Sequence, residues 1–316
     1  MSKSTLIISA LRRSGTTALW QSFRNLPEVA AFDEPFHPQL AAGARENPKG
    51  TWPEIATFLQ QSGSQPVAIS PIGELEASPS EAEIIWMQTL QAAAPRVAMD
   101  VVRCWNRLPA LCANPQDILF VLLLRDPASW VTAHLRPSGR GTWRKRVMDV
   151  WRQQSFFFRK GLFDNYHYET IIAEALRQNH PLWGAVTLPI EDLKHAPAYV
   201  KLLAFWWGSN LASYQFLRDG PSRPLIVTLS EFSTTPAREV QRLLDAAGWH
   251  DLSPNLSHVA ATRSSHGNAD GRIHPAWLRA ARDLGIEEDL FEAGGATAQA
   301  LERAFEAALA HGRSAR

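Results

Sequence analysis

Two adjacent arginines and four small residues follow one another near the start of the sequence: Arg12, Arg13, Ser14, Gly15, Thr16 and Thr17. A turn of this composition that opens a helix presents backbone N–H groups at the positive end of the helix dipole, where phosphates bind. A plain capped helix start is the alternative. Cations beside a helix N-terminus are unfavourable unless an anion is also there. The paired arginines therefore favour an anion-binding loop.

A carboxylate and an imidazole come next, at Glu34 and His37 in a proline-rich segment. Either group could take a proton from a reacting hydroxyl, and a carboxylate near phosphates or away from water has the raised pKa that a general base needs. We expect Glu34 to be this base, with His37 as its rival. The alternative is an acidic turn residue without a catalytic role.

A third candidate is Arg125, which follows the apolar run 118–124 and precedes Asp126 and Pro127. A guanidinium binds phosphate through two parallel hydrogen bonds, so Arg125 is suited to hold such a group. Ser129 follows one helical turn later and could assist. A strand-end ion pair, with Asp126 as a helix cap, is the alternative interpretation.

The elements that must position these residues follow from the hydrophobic pattern. Short apolar runs typical of buried parallel strands occupy residues 5–11, 29–32, 97–102, 118–124 and 224–229. Helical patterns follow, beginning at Thr16 or Thr17 and ending before Pro27, then at residues 80–94, 168–178, 196–216 and 236–247. This alternation predicts an α/β fold with a central, mainly parallel sheet. Loops that leave the carboxyl ends of such strands bind ligands, which places Glu34 near the anion-binding loop.

Composition limits the possible partners. The net charge is +1, so no strong overall field attracts nucleic acid or an anionic membrane. The two cysteines, Cys104 and Cys112, cannot form a disulfide framework and predict buried thiols in a cytoplasmic protein. The apolar run after Lys3 is too short for a signal peptide or a membrane span.

These motifs, in this order, resemble those of the sulfotransferases that use 3′-phosphoadenosine 5′-phosphosulfate (PAPS). The segment from Arg13 to Leu19 is similar to their 5′-phosphosulfate-binding loop, in which Lys or Arg precedes Ser-Gly-Thr-Thr. The resemblance implies a P-loop-NTPase-like three-layer α/β/α fold. It does not extend to a Walker A loop, because Ala10 and Thr16 stand where that motif has Gly and Lys.

The resemblance also assigns roles to individual residues. Residues 12–17 would bind the 5′-phosphosulfate, with Arg13 neutralising charge during transfer. Glu34 would be the general base, and Arg125 with Ser129 would hold the 3′-phosphate. A late loop of these enzymes that folds over the nucleotide is matched in order by His266, Gly267, Asn268 and Arg272.

This sequence departs from the family pattern at three positions. Met99 stands where relatives often carry a Lys that touches the transferred group, and Arg103 could substitute for it. Ala133 replaces a Ser, and Ala269 replaces a Pro. The segment around Arg103 also lacks the His that serves as the base in the cytosolic branch, which favours Glu34.

The resemblance predicts one domain over residues 1–316, with residues 136–196 as a helical acceptor-site insertion or lid and residues 296–316 as a C-terminal helix. It predicts transfer of a sulfuryl group from PAPS, leaving adenosine 3′,5′-bisphosphate (PAP), to a hydroxyl or amine of a carbohydrate or small molecule. No metal is required, no nucleic acid is bound, and a homodimer is possible. The twelve tryptophans exceed what a core needs and fit an acceptor-binding wall.

Two other functions stay open at this point. A P-loop small-molecule kinase would use ATP with magnesium and would not recognise a 3′-phosphate; the missing Walker lysine counts against it. A non-catalytic protein that binds PAP or a glycan on the same fold is favoured by Met99 and Ala133, which replace family residues.

Overall fold

The computed structural model describes residues 3–24, 26–40, 53–134, 168–221, 223–254, 256–259, 275–291 and 296–313. The chain divides into two compact units. The first consists of residues 1–124 and 213–267, and the second of residues 125–212 and 268–316. The predicted anion-binding loop and Glu34 belong to the first unit, whereas Arg125 and Ser129 belong to the second.

Five parallel strands form the sheet of the first unit: β1 (Thr5–Ser9), β2 (Val29–Asp33), β3 (Arg96–Val101), β4 (Ile118–Leu124) and β5 (Leu225–Thr228). Their order across the sheet is β2-β3-β1-β4-β5, and all four neighbouring pairs are parallel. The predicted α/β class with a central parallel sheet is confirmed, and each of the five strands coincides with an apolar run identified in the sequence.

The helices are α1 (Thr16–Trp20), α2 (Pro53–Ser62), α3 (Glu81–Gln91), α4 (Leu108–Leu111), α5 (Pro127–His134), α6 (Tyr168–Arg177), α7 (Ile190–His195), α8 (Ala198–Arg218), α9 (Leu229–Thr234), α10 (Pro236–Ala247), α11 (Pro275–Leu284) and α12 (Ala298–Ala310). Short 3₁₀ turns occur at Ile72–Leu75, Pro115–Asp117, Pro181–Ala185 and Glu288–Phe291. None of the helices in the described ranges is long and apolar enough to cross a membrane.

Helices cover both faces of the sheet because alternate strand residues point to opposite sides. On one face Ile8 packs in a cluster with Trp20 of α1 and Leu243 of α10. On the other face Ile7 packs in a second cluster with Met87 of α3. These two buried clusters give the three-layer arrangement and place α1 on the first face.

Helix α1 is shorter than the sequence predicts. It begins at Thr16, as expected, but ends at Trp20 and continues as turns toward Arg24 rather than as a helix to Pro27. Strand β1 likewise ends at Ser9, because the chain turns where the Ser14 N–H donates to the Leu11 carbonyl at 3.2 Å. The turn therefore occupies residues 10–15.

The second unit has a core rich in aromatic side chains. Tyr168 is fully buried and makes edge contacts with Trp130 of α5 and Phe205 of α8. Trp207 packs on Phe305 of α12 with ring centroids 5.2 Å apart. In this described part, the aromatic surplus noted in the sequence builds a core.

Candidate active site

The turn after β1 adopts two left-handed backbone conformations, at Arg13 (φ 71°) and Gly15 (φ 93°). Alternation of right- and left-handed residues turns successive N–H groups toward one side, a geometry that binds anions. Only glycine fits at position 15, because a Cβ there would lie 2.5 Å from Cδ1 of Leu229. The Gly15 carbonyl then accepts the first helical N–H groups, from Ala18 and Leu19.

The two neighbouring arginines of this loop have different environments. Arg12 is 4% exposed and forms an ion pair with Glu74, which is itself 1% exposed. Arg13 is exposed at the surface. Arg12 therefore anchors the loop from inside, and Arg13 is the member of the pair on the solvent side.

Arg103 joins this ion pair to the candidate base. Its Nη1 lies 2.7 Å from Oε1 of Glu74, and its Nη2 lies 3.7 Å from Oε2 of Glu34. The charges of Arg12, Glu74, Arg103 and Glu34 thus alternate in sign along one connected network. The structure brings together the loop, the predicted base and the arginine that the sequence suggested in place of a lysine.

Glu34 directly follows β2 and has a strained backbone, with φ 42°. Its side chain is 24% exposed. Burial, and then the charge of Asp100, raise the pKa of this carboxyl to about 7, although Arg103 and Arg12 act to lower it. A carboxylate with this pKa can take up a proton near neutral pH and release it again.

His37 lies beside Glu34, with Nε2 at 3.9 Å from Oε2 of the carboxylate. Its other ring nitrogen, Nδ1, accepts a hydrogen bond from the backbone N–H of Gln39 at 3.1 Å. A neutral imidazole carries one proton, so this bond places the proton on Nε2, facing Glu34. In this arrangement the acceptor nitrogen of His37 is already bonded to Gln39, and the protonated nitrogen faces Glu34 at a distance longer than a hydrogen bond.

A pair of buried aspartates was not identified from the sequence. Asp33 and Asp100 are opposite each other in the register of β2 and β3, and both are at most 1% exposed. Burial, and then the neighbouring Asp100, raise the pKa of Asp33 to about 10, so Asp33 is protonated at neutral pH. The signals available in the sequence were Asp33 directly after the apolar run 29–32 and Asp100 within the apolar run 97–102.

In the second unit, Arg125 and Ser129 are brought together as expected. Arg125 Nε donates to Ser129 Oγ at 3.0 Å. The Ser129 N–H donates to Oδ1 of Asp126 at 2.7 Å, so Asp126 caps the start of α5. The cap anticipated in the alternative interpretation is therefore present, and Arg125 contacts Ser129, while the binding of a 3′-phosphate by both residues stays a prediction.

Other predicted residues lie elsewhere. Gly267, Asn268 and Arg272 lie outside the described residues, as does most of the insertion at 136–196. The carboxylate of Glu231 accepts a hydrogen bond from the Thr228 hydroxyl at 2.8 Å, a contact at the start of α9. Across the ranges that the structure covers, no cluster of three or more His, Cys, Asp or Glu side chains could hold a metal ion.

No model of a known protein family matches the chain, and no curated protein is similar enough to count as a relative. The function must therefore be inferred from the residues and their geometry.

Proposed function

We propose that the protein is a sulfotransferase that moves the sulfuryl group of PAPS to a hydroxyl or amine of a carbohydrate or small molecule. The observation that carries this proposal is the ion network that runs from the anion-binding loop to the candidate base. Arg103 contacts Glu74, the partner of Arg12, and also lies 3.7 Å from Glu34. A base with a pKa of about 7 is thereby held next to a loop suited to phosphate.

The sheet topology supports the same proposal. Strand β1 is central; the chain passes first to β2 and β3 on one side and then to β4 and β5 on the other. The loop that leaves the carboxyl end of β1 therefore lies where the strand order reverses, the usual ligand position in open α/β sheets. We assign the fold to the P-loop-NTPase-like class on this topology and on the loop that follows β1.

In the proposed reaction the acceptor oxygen or nitrogen attacks sulfur, the bond between sulfur and the bridging oxygen of PAPS breaks, and PAP leaves. Glu34 accepts the proton of the acceptor. Arg13 and the N–H groups of residues 15–17 stabilise the charge that develops on the 5′-phosphate side, whereas the Ser14 N–H, also expected to take part, is bonded to the Leu11 carbonyl. For the 3′-phosphate the proposal retains Arg125 and Ser129, whose side chains already bond to each other.

Positive charge in this scheme comes from arginines, so the proposal requires no metal. The buried free thiols of Cys104 and Cys112 fit a reducing compartment, and we place the proposed enzyme in the cytoplasm. The acceptor class rests on the resemblance of the sequence motifs.

The test is calorimetric titration with PAP, with 5′-AMP and with ADP plus magnesium, followed by a transfer assay with PAPS and a panel of sugars and phenols. We expect PAP to bind best and Arg125→Ala to remove the preference for PAP over 5′-AMP. Glu34→Gln should retain PAP binding and lose transfer. Glu81→Gln, an exposed carboxylate at the start of α3, is the matched control.

Two results would contradict the proposal. A preference for ADP with magnesium would move the protein to the small-molecule kinases. Tight PAP binding with no transfer to any acceptor would identify a non-catalytic binding protein.

A further inference from the structure

Asp100 contacts two separate segments of the candidate site. Its Oδ1 accepts the backbone N–H of Glu34 at 2.7 Å. The side chain of Thr16, the first residue of α1, is close enough to this carboxylate to act on its pKa, which it lowers. Helix α1 packs against β3, the strand that carries Asp100. One fully buried carboxylate therefore links the end of the anion-binding loop to the candidate base.

Asp33 allows this carboxylate to stay charged inside the protein. If both aspartates were ionised, both oxygens of Asp33 and Oδ2 of Asp100 would lack hydrogen-bond partners. A proton on Asp33 lets one of its oxygens donate to Asp100 and removes the repulsion between the two charges. Burial raises the pKa of Asp100 as well, whereas hydrogen bonding to Asp33 and to the Glu34 N–H acts to lower it. The shared proton is therefore assigned to Asp33, whose pKa is raised to about 10.

The contact with Glu34 acts on a strained residue. A left-handed backbone at a residue other than glycine costs on the order of 1 kcal/mol and persists only where neighbours hold it. The hydrogen bond to Asp100 is made by the N–H of the residue that has this conformation, with φ 42°. It therefore fixes the direction in which the Glu34 side chain leaves the sheet.

We propose that Asp100 is a positioning residue, which sets the placement of Glu34 relative to the start of α1. The contacts of Asp100 with Glu34 and with the start of α1 do not depend on what the protein does. Their importance for sulfuryl transfer rests on the proposed function. Asp100 touches no reacting atom in this scheme. It acts through Thr16 and through the backbone of Glu34.

The link is tested without any ligand by hydrogen exchange of the Glu34 amide, measured by NMR. Asp100→Ala removes the acceptor and should speed this exchange at least about 10-fold, since the net value of a hydrogen bond to a charged group exceeds 1.4 kcal/mol. Amides of β4 should be unaffected. Asp100→Asn retains an oxygen at the same position and should restore protection. Unchanged protection of Glu34 in Asp100→Ala, or equal loss in both variants and in β4, would overturn the proposal.

The functional part is tested by a double-mutant cycle between Thr16→Val and Asp100→Ala on kcat and on PAP affinity. Misplacement of a catalytic group by about 1 Å can cost about 100-fold, so we expect Asp100→Ala to lower kcat to this extent and Asp100→Asn to restore much of it. The two substitutions should be non-additive, since each breaks the same contact. Asp251→Asn, at an exposed carboxylate paired with Arg96, is the control.

The outcomes separate the two claims. If the wild-type protein neither binds PAP nor transfers a sulfuryl group, the proposed function fails, and the exchange of the Glu34 amide still decides whether Asp100 links the segments. If transfer occurs and the cycle is additive, the positioning role in catalysis is wrong although the proposed function stands.

Discussion

The ring of His37 directs Nε2 toward the Glu34 carboxylate at 3.9 Å, while its Nδ1 accepts the N–H of Gln39. The two rival bases therefore differ in their free acceptor atoms. The Glu34 carboxylate can accept a proton, whereas the acceptor nitrogen of His37 is already bonded to the Gln39 N–H. Glu34→Gln should therefore lower kcat by about 100-fold or more, the usual contribution of a general base. His37→Gln, which retains a donor, should lower it far less. Equal losses in an assay of sulfuryl transfer, or a larger loss at His37, would reverse the assignment.

The pH dependence of transfer should report the ionisation of Glu34. The carboxyl must be ionised to accept a proton, so kcat/KM should rise with pH, with a midpoint near the pKa of about 7 that burial and Asp100 produce. Arg103 lowers this pKa. Arg103→Gln should consequently move the midpoint to higher pH. A midpoint that stays in place, or moves to lower pH, would show that Glu34 is not the group that titrates.

The Asp33–Asp100 pair should make stability depend on pH. The folded pKa of Asp33, about 10, is above the unfolded value near 4, so its contribution is complete below about pH 4 and is lost as pH rises toward 10. Between pH 5 and 9 Asp33 should lower the free energy of unfolding by up to about 1.4 kcal/mol per pH unit, and Glu34, whose pKa is also raised, adds to this slope only below about pH 7. Asp33→Asn, which imitates the protonated acid, should flatten that slope in urea denaturation.

Asp251→Asn is the control for this measurement. The bond to Arg96 lowers the pKa of Asp251, so its contribution is present above the unfolded pKa and is lost only as the solution becomes acidic. Asp251→Asn should therefore leave the slope of the free energy of unfolding against pH unchanged between pH 5 and 9. A slope in Asp33→Asn that equals the wild-type slope would mean that Asp33 is ionised in the folded protein.

Gly15 should tolerate no side chain. Gly15→Ala combines a left-handed backbone with a Cβ placed 2.5 Å from Cδ1 of Leu229. Gly63→Ala is a matched control, because it has φ +66° and no atom within 4 Å of the added Cβ. In both variants the left-handed backbone should lower the free energy of unfolding by about 1 kcal/mol. Only Gly15→Ala should lower it further. Urea denaturation measures the free energy of unfolding of both variants. Adding Leu229→Ala to Gly15→Ala should restore part of the additional loss of stability. Equal losses would indicate that the loop shifts without cost.

Local patterns in the sequence were sufficient for the fold. Continuous apolar runs predicted all five strands, because a strand buried on both faces needs apolar residues at every position. Gly15 and the threonines after it predicted the turn and the first residue of α1. The predicted end of α1 before Pro27 was wrong, because the helix ends at Trp20 and the chain continues as turns.

The sequence by itself determined the sheet, the loop after β1 and the candidate residues Arg13 and Glu34. Tertiary structure alone decided that Arg12 lies inside against Glu74, 62 positions away, and that Asp33 and Asp100 are neighbours. It also decided the raised pKa of Glu34, which comes from burial and from charges on other strands and loops. The physical reason for this difference is the distance along the chain over which each interaction acts. Strand and turn preferences act between adjacent residues, whereas ion pairs and desolvation depend on which distant segments the fold brings together.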